Sequence, residues 1–142
     1  MENGQQAYLV ADTRERNVQG FISTLFTDAG AAFSVDQINT GDYLICRRRD
    51  DGRREILACI ERKTLPDFAS SITDGRYGNR LKMLDLRDRT GCQLYFFVEG
   101  PAFPKPTRRF SRIPYGTILS AMTNLMIRDG ICVVQTESEL GT

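Results

Sequence analysis

The chain has 142 residues, of which 41% are hydrophobic and 26% charged, and its net charge is +1. This length suits one domain with a single core, and the absence of a secretory signal and of an apolar run near ~18 residues predicts an intracellular protein. The chain contains no histidine, which excludes Ser-His-Asp catalysis, Cys-His catalysis and any other mechanism with an imidazole base. Its four cysteines are far apart and form no C-x-x-C pair, so we expect buried free thiols and neither a zinc site nor a disulfide framework.

The first part of the chain predicts strands around one helix. Residues 8–11 form a short apolar run that ends at Asp12, and apolar residues between Val18 and Phe26 repeat at helical spacing. A strand is predicted near 32–38. Two further strand-like runs, 43–48 and 55–60, flank an Asp-Gly turn, which indicates a hairpin.

The second part alternates helices and strands. The predicted elements are helices over 64–74 and 77–87, a strand over 94–98, a proline-rich basic loop over 101–114, an amphipathic helix over 118–126 and a strand over 131–134. The order of elements predicts an α/β fold, with a mixed sheet and helices on both faces. Thr136 and Glu139 resemble a further helix start, which suggests that the chain is the front part of a longer protein.

Three charged residues, Glu61, Arg62 and Lys63, stand where the apolar strand over 56–60 ends. On a strand, Glu61 and Lys63 point to one face and Arg62 to the other. A carboxylate beside a lysine, with Asp42 on the neighbouring strand, is a histidine-free arrangement for cutting a phosphodiester through a hard divalent cation. The alternative is a surface salt bridge between Glu61 and Lys63, with Asp67 capping the following helix.

Basic residues are clustered in two segments, 47–54 and 105–112, and the second contains no acid. Such clusters are typical of a solvated surface, but they also suit a cationic rim that binds phosphate. The two interpretations remain open at this point.

Several motifs follow one another along the chain. They are D-T-R-E at 12–15, G-D at 41–42, E-R-K-x-x-x-D at 61–67, S-I-T-D-G-R-Y at 71–77, and A-M-T-N at 121–124 followed by R-D-G at 128–130 and Thr136. Together they resemble the XPF/Mus family of structure-specific endonucleases, and G-D with E-R-K-x-x-x-D looks like the signature of that family. The resemblance covers about residues 8–140. It implies a restriction-endonuclease-like fold, with a nuclease domain over 7–140 after a flexible segment over 1–6.

The resemblance also implies roles for single residues. Asp42 and Glu61 would be ligands of Mg²⁺ or Mn²⁺, helped by the backbone carbonyl of Arg62, and Lys63 would meet the phosphate or the attacking water. Asp12 and Glu15 would complete the acidic cluster, either by holding a second metal or by positioning the first. Arg62 and Asp67 would also belong to the catalytic set, and Asp67 would either cap a helix that orients the site or take a direct catalytic part. The residues expected to contact DNA are Arg14, Arg76, Arg80, Arg108, Arg109 and Arg112. The segment 78–82 departs from the glutamine and lysine that often follow G-R-Y in the family.

The implied activity is metal-dependent cleavage of branched or flapped DNA, in the nucleus if the source is eukaryotic. The expected partners are DNA and a second subunit, identical or related, with the helix over 118–126 in the contact; no membrane is expected. Two alternatives are a catalytically inactive family partner that binds DNA or acts as a scaffold, and a nuclease or phosphodiesterase acting on junctions or small nucleotides. No helix-hairpin-helix domain follows the nuclease motifs. Either the chain is a fragment, or it binds its substrate differently from the family members that cut branched DNA and carry such domains.

Overall fold

The computed structural model describes residues 7–14, 32–73 and 80–137. The helix predicted between Val18 and Phe26 lies outside these ranges, as do Glu15, Arg76, Glu139 and the segment 1–6. None of the helices in the described ranges is long and apolar enough to cross a membrane.

The described residues form eight strands and three α-helices. The strands are β1 (Tyr8–Asp12), β2 (Ala32–Asp36), β3 (Tyr43–Arg48), β4 (Arg54–Thr64), β5 (Gln93–Glu99), β6 (Arg109–Phe110), β7 (Ile113–Pro114) and β8 (Cys132–Thr136). The helices are α1 (Leu65–Thr73), α2 (Arg80–Thr90) and α3 (Tyr115–Asn124), and a π-helical turn over Leu125–Asp129 follows α3.

Six of the strands form a mixed sheet in the order β2-β1-β3-β4-β5-β8. All neighbouring pairs are parallel except those made by β3, which runs antiparallel to both β1 and β4. The carboxyl ends of β1, β4 and β5 therefore lie at the same edge of the sheet as the start of β3. The predicted mixed α/β fold is confirmed.

The core follows from the alternation of side chains along the central strands. Leu94, Phe96 and Val98 of β5 are buried in the main apolar cluster, to which all three helices also contribute side chains. Phe68 of α1 meets Phe96 edge-on, with ring centroids 6.0 Å apart. A smaller cluster forms at alternate positions of β1, β3 and β4, around Ala11 and Tyr43. This packing fixes α1 directly behind the end of β4.

The segment 101–114 is not the plain loop that its composition predicts, because it contains the β6–β7 hairpin. The hairpin turns at Ser111 and Arg112, whose φ angles are 49° and 69°. Two-residue hairpin turns usually use Asn or Gly at such positions, so this turn has no sequence signal. Ser111 Oγ donates a 2.8 Å hydrogen bond to the carbonyl of Pro66, which attaches the hairpin to the first turn of α1.

The amphipathic helix predicted over 118–126 is divided between the core and the surface. Ile118, Met122 and Leu125 are buried, whereas Leu119 and Met126 are exposed. The helix also ends in the π-helical turn, which Gly130 closes with a left-handed φ of 66°. The apolar positions therefore serve both the core and an exposed stripe.

Candidate active site

Three acidic residues occupy neighbouring positions where β1, β3 and β4 meet at one edge of the sheet. The amide of Asp12 donates to the carbonyl of Asp42 at 2.9 Å, and the amide of Asp42 donates to the carbonyl of Ile60 at 2.8 Å. If the strand pairings are continued by one residue, Asp42 lies between Asp12 on the side of β1 and Glu61 on the side of β4. The structure brings together acidic residues that are 19 to 49 residues apart in the chain.

Gly41 makes the close approach of Asp42 to β4 possible. Its φ is +84°, and a Cβ at this position would lie 2.5 Å from the sulfur of Cys59 and 3.2 Å from the carbonyl oxygen of Ile60. Only glycine fits here without moving a neighbour or straining the backbone. The G-D motif therefore has a local structural cause.

Strand β4 emerges from the core as it reaches the charged residues. Cys59 is fully buried, Glu61 is 6% exposed, and Lys63 is half-buried. Burial raises the pKa of the Cys59 thiol to about 12, helped by Cys92 and by the nearby carboxylates of Glu61 and Asp42. The thiol is thus a neutral part of the wall behind the acids, and it does not supply a nucleophile at neutral pH.

The carboxylate of Asp12 is fully buried and has two described partners. Its Oδ1 accepts a hydrogen bond from the amide of Ile38 at 3.1 Å, and its Oδ2 forms an ion pair with Nε of Arg14. The pKa of Arg14 is raised, first by its hydrogen bond to Asp12 and also by the charges of Asp12, Asp42 and Glu61. The Arg14 side chain is 70% exposed, so its pairing with Asp12 places a solvent-accessible guanidinium beside the other two acids.

The donor chemistry of Asp42 and Glu61 fits a hard divalent cation. Carboxylate oxygens are the ligands that Mg²⁺ and Mn²⁺ prefer, and Mg²⁺ commonly uses only one or two of them. Asp42 Oδ2 already accepts the amide of Arg62 at 2.7 Å, but a carboxylate has about four acceptor positions, so a metal ligand role remains open to it. No group of three or more Cys, Asp and Glu in the described ranges is arranged to hold a metal. The fit thus rests on two carboxylates and a backbone carbonyl.

Strand β4 leads directly into α1 at Thr64. The amide of Asp67 donates to Thr64 Oγ1 at 3.3 Å, as expected for the predicted helix start. Asp67 is exposed in the first turn of α1, where a negative charge is favourable. This position supports the helix-start role of Asp67, and it leaves a direct catalytic role as a prediction.

The predicted DNA-contacting arginines differ in their surroundings. Arg80 forms a two-pronged ion pair with Asp129, at 2.6 and 3.1 Å, and its side chain is only 29% exposed. Its guanidinium is therefore committed to holding α2 against the π-helical turn. Arg108, Arg109 and Arg112 are exposed on or beside the β6–β7 hairpin.

The basic segment 47–54 lies at the other end of β4, away from the acids. Arg47 pairs with Glu55 at 2.8 Å, Arg54 pairs with Asp36 at 3.1 Å, and Arg53 approaches Asp51 at 3.7 Å. These acids neutralise much of the cluster. The structure favours a solvated hairpin here, and it does not place these arginines on a phosphate-binding rim at the acidic edge.

Sequence reasoning missed Glu99, the last residue of β5. Its carboxylate is 7% exposed and accepts a 2.5 Å hydrogen bond from Nε of Arg62. The partners are 37 residues apart, and V-E-G looks like an ordinary strand end, so only the parallel pairing of β4 with β5 reveals the contact.

Comparison with known proteins identifies the family of the chain. The model of the ERCC4 domain family matches residues 11–142. The ERCC4 domain-containing protein EP364R of African swine fever virus is 52% identical over 141 residues in the Badajoz strain and 51% identical over 140 residues in a Namibian warthog isolate. The alignments cover 93% of this chain in both cases, but only 38% and 37% of the viral proteins. These relatives are viral, which gives no support to the nuclear location predicted for a eukaryotic source.

Solved structures of XPF from Aeropyrum pernix have the same fold. One superposes with a TM-score of 0.63 at 26% identity, covering 94% of this chain and 55% of that one. A second, in complex with DNA, has the same TM-score and identity and covers 96% of this chain and 59% of that one. The resemblance to the XPF-type nucleases is thus confirmed by a family match over nearly the whole chain and by the fold. The chain belongs to the ERCC4 domain family.

Proposed function

We propose that this chain is a metal-dependent endonuclease domain that hydrolyses phosphodiester bonds in branched or flapped DNA. The observation that carries the proposal is the placement of Asp42, directly before β3, next to Glu61 of β4, with Lys63 on the same face of β4 as Glu61. This arrangement stands in a domain of a nuclease family, and the XPF structure solved with DNA supports DNA as the substrate.

In this proposal Asp42, Glu61 and the carbonyl of Arg62 hold Mg²⁺ or Mn²⁺. Such an ion supplies Lewis-acid activation of the phosphoryl group and of the attacking water. Lys63 contributes a positive charge toward the phosphate, where negative charge increases in the transition state. Glu61 is only 6% exposed, and this burial lowers the local dielectric constant, which strengthens its charge interactions.

The exposed cations next to the acids would bind the DNA backbone. Arg14 lies beside Asp12, and the β6–β7 hairpin with Arg109 and Arg112 is attached to the first turn of α1, which directly follows β4. Both positions therefore lie close to the strand end that carries Glu61. Arg80 is a poorer candidate, because Asp129 already neutralises its charge.

The proposed assembly is a dimer, a homodimer or a heterodimer with a related subunit. Leu119, Met126 and Ile127 are 37%, 42% and 76% exposed and form an apolar stripe on α3 and the π-helical turn. An exposed apolar stripe at this position is suited to a contact with a second subunit.

The purified protein should be tested on a flap, a four-way junction and a linear duplex of equal length, with Mg²⁺, Mn²⁺ or excess EDTA. We expect cleavage of the branched substrates with either ion and none with EDTA. Full activity in EDTA would contradict the metal proposal, and DNA binding without cleavage would identify a binding module. Preference for the linear duplex would refute the proposed substrate class.

A further inference from the structure

An ion pair lies on the face of the sheet opposite to Glu61 and Lys63. Nε of Arg62 donates to Oε2 of Glu99 at 2.5 Å, and the two side chains are 18% and 7% exposed. Glu99 ends β5 in register with Thr64, so the pair joins the ends of two parallel strands. Neither side chain is a solvated surface group.

The position of Arg62 on this face separates it from the proposed catalytic side chains. Side chains alternate along a strand, so those of Glu61 and Lys63 point one way and that of Arg62 the other. The pairing of β4 with β5 agrees, because Arg62 is in register with Phe97, whereas Glu61 is in register with the buried Phe96. A phosphate between Glu61 and Lys63 would lie across the sheet from the guanidinium.

The backbone of Arg62, in contrast, acts directly on the acidic edge. Its amide donates to Oδ2 of Asp42 at 2.7 Å, toward β3, while its side chain reaches Glu99 toward β5. Arg62 is thus held from both neighbouring strands. Loss of the side-chain contact would remove one of these two constraints on the Arg62 residue.

We infer that Glu99 is a positioning residue of the proposed nuclease site and that Arg62 serves the reaction through its backbone. Glu99 holds the guanidinium, the guanidinium fixes the β4 backbone, and the Arg62 amide then fixes the carboxylate of Asp42. This inference rests on the proposed function for its catalytic consequence, although the link from Glu99 to the Arg62 amide is independent of it. Removal of the Glu99 charge takes away the charged acceptor that holds Nε of Arg62, so the arginine side chain gains freedom to move.

The first test is amide hydrogen exchange of Arg62 in the metal-free protein. Glu99→Gln keeps the shape of the side chain and removes its charge. We expect the Arg62 amide to exchange about tenfold faster, because the equilibrium constant for local opening at this residue rises by about that factor. The exchange rates of the Leu94 and Phe96 amides should not change. The matched control is Glu55→Gln, which breaks the Arg47–Glu55 ion pair at the other end of β4 and should leave the Arg62 amide unchanged.

The second test measures single-turnover cleavage and DNA binding for the same variants. Displacement of a catalytic group by about 1 Å can cost ~10²-fold in rate, so Glu99→Gln should slow cleavage by about 10- to 100-fold. The affinity for DNA and its dependence on salt should not change, since Arg62 makes no phosphate contact. The charge-reversed pair Arg62→Glu with Glu99→Arg should cleave faster than Arg62→Glu alone.

Three results would overturn the inference. The first is an unchanged exchange rate of the Arg62 amide in Glu99→Gln. The second is a log–log salt slope of DNA binding that is lower by about 0.9 in Arg62→Gln, because such a drop indicates a phosphate contact of Arg62. The third is cleavage by the charge-reversed pair that is no faster than cleavage by Arg62→Glu alone. If the wild-type protein does not cleave DNA, the proposed function fails, while the exchange measurement still decides whether Glu99 controls the Arg62 amide.

Discussion

Replacement of Gly41 by alanine tests how the backbone places Asp42 beside β4. Alanine at a positive φ costs about 1–2 kcal/mol. Its Cβ would also lie 2.5 Å from the sulfur of the buried Cys59, and overpacking of a core costs typically ~1–3 kcal/mol. The free energy of unfolding should therefore fall by about 2–5 kcal/mol.

Gly52 provides a control with the same backbone conformation. Its φ is +85°, but a Cβ there would have no neighbour within 4 Å, so Gly52→Ala should show only the conformational cost of about 1–2 kcal/mol. The difference between the two variants isolates the contact with β4. Cys59→Ala combined with Gly41→Ala should recover part of the contact cost, because it removes the sulfur atom.

Urea unfolding followed by circular dichroism gives each free energy, provided that the slope with denaturant stays constant. DNA cleavage should also fall in Gly41→Ala, since the backbone must move Asp42 away from Ile60. Equal destabilisation of Gly41→Ala and Gly52→Ala, with cleavage intact, would refute the claim that close approach at Gly41 sets the position of Asp42.

Further predictions concern the hairpin, the exposed stripe and the thiols. Replacement of Arg109 and Arg112 by glutamine should weaken DNA binding and flatten its log–log salt slope by about 0.9 for each lost contact, and an unchanged slope would show that the hairpin does not touch phosphate. Light scattering should give about twice the 16.1 kDa chain mass for the wild type and the single-chain mass for Ile127→Ser. The control variant Leu81→Ser, at an exposed position of α2, should stay dimeric, and a monomeric wild type would contradict the proposed dimer. Iodoacetamide at pH 8 should label Cys132 alone, because the other three cysteines are buried, and fast labelling of a second thiol would contradict this. The pKa of the Cys59 thiol is about 12 in the native state, against 9.0 for an ordinary thiol, so this thiol ionises more readily in the unfolded chain. The free energy of unfolding should therefore fall as the pH rises above about 9, and it should fall less in Cys59→Ala.

Much of the fold could be predicted because local patterns agree with the tertiary structure. The alternation through Glu61, Arg62 and Lys63 predicted two opposite faces, and β4 does continue through Thr64. The Asp-Gly turn at 51–52 likewise predicted the β3–β4 hairpin. These features depend on neighbours in sequence, which a periodicity can show.

The ion pairs could not be predicted, since they join residues far apart in the chain. In the sequence, Arg62 and Arg80 both look like basic residues of the surface. In the structure, Arg62 pairs with Glu99, which is 37 residues away in the chain, and Arg80 pairs with Asp129, which is 49 residues away. The β6–β7 hairpin was missed for a different reason, because Ser111 and Arg112 adopt a turn conformation that their residue types disfavour.

The most direct test of the central claim compares single-turnover cleavage of a flap substrate by the wild type, Asp42→Asn and Glu61→Gln in Mg²⁺. Both substitutions keep the size of the side chain, and in Asp42→Asn the side-chain amide oxygen can still accept the Arg62 amide, so folding and DNA binding should be retained. We expect each to slow cleavage by at least ~10²-fold, while Asp85→Asn on the exposed face of α2 cleaves at the wild-type rate. Cleavage near the wild-type rate by Asp42→Asn or Glu61→Gln would contradict the claim that the acidic strand end is the catalytic centre.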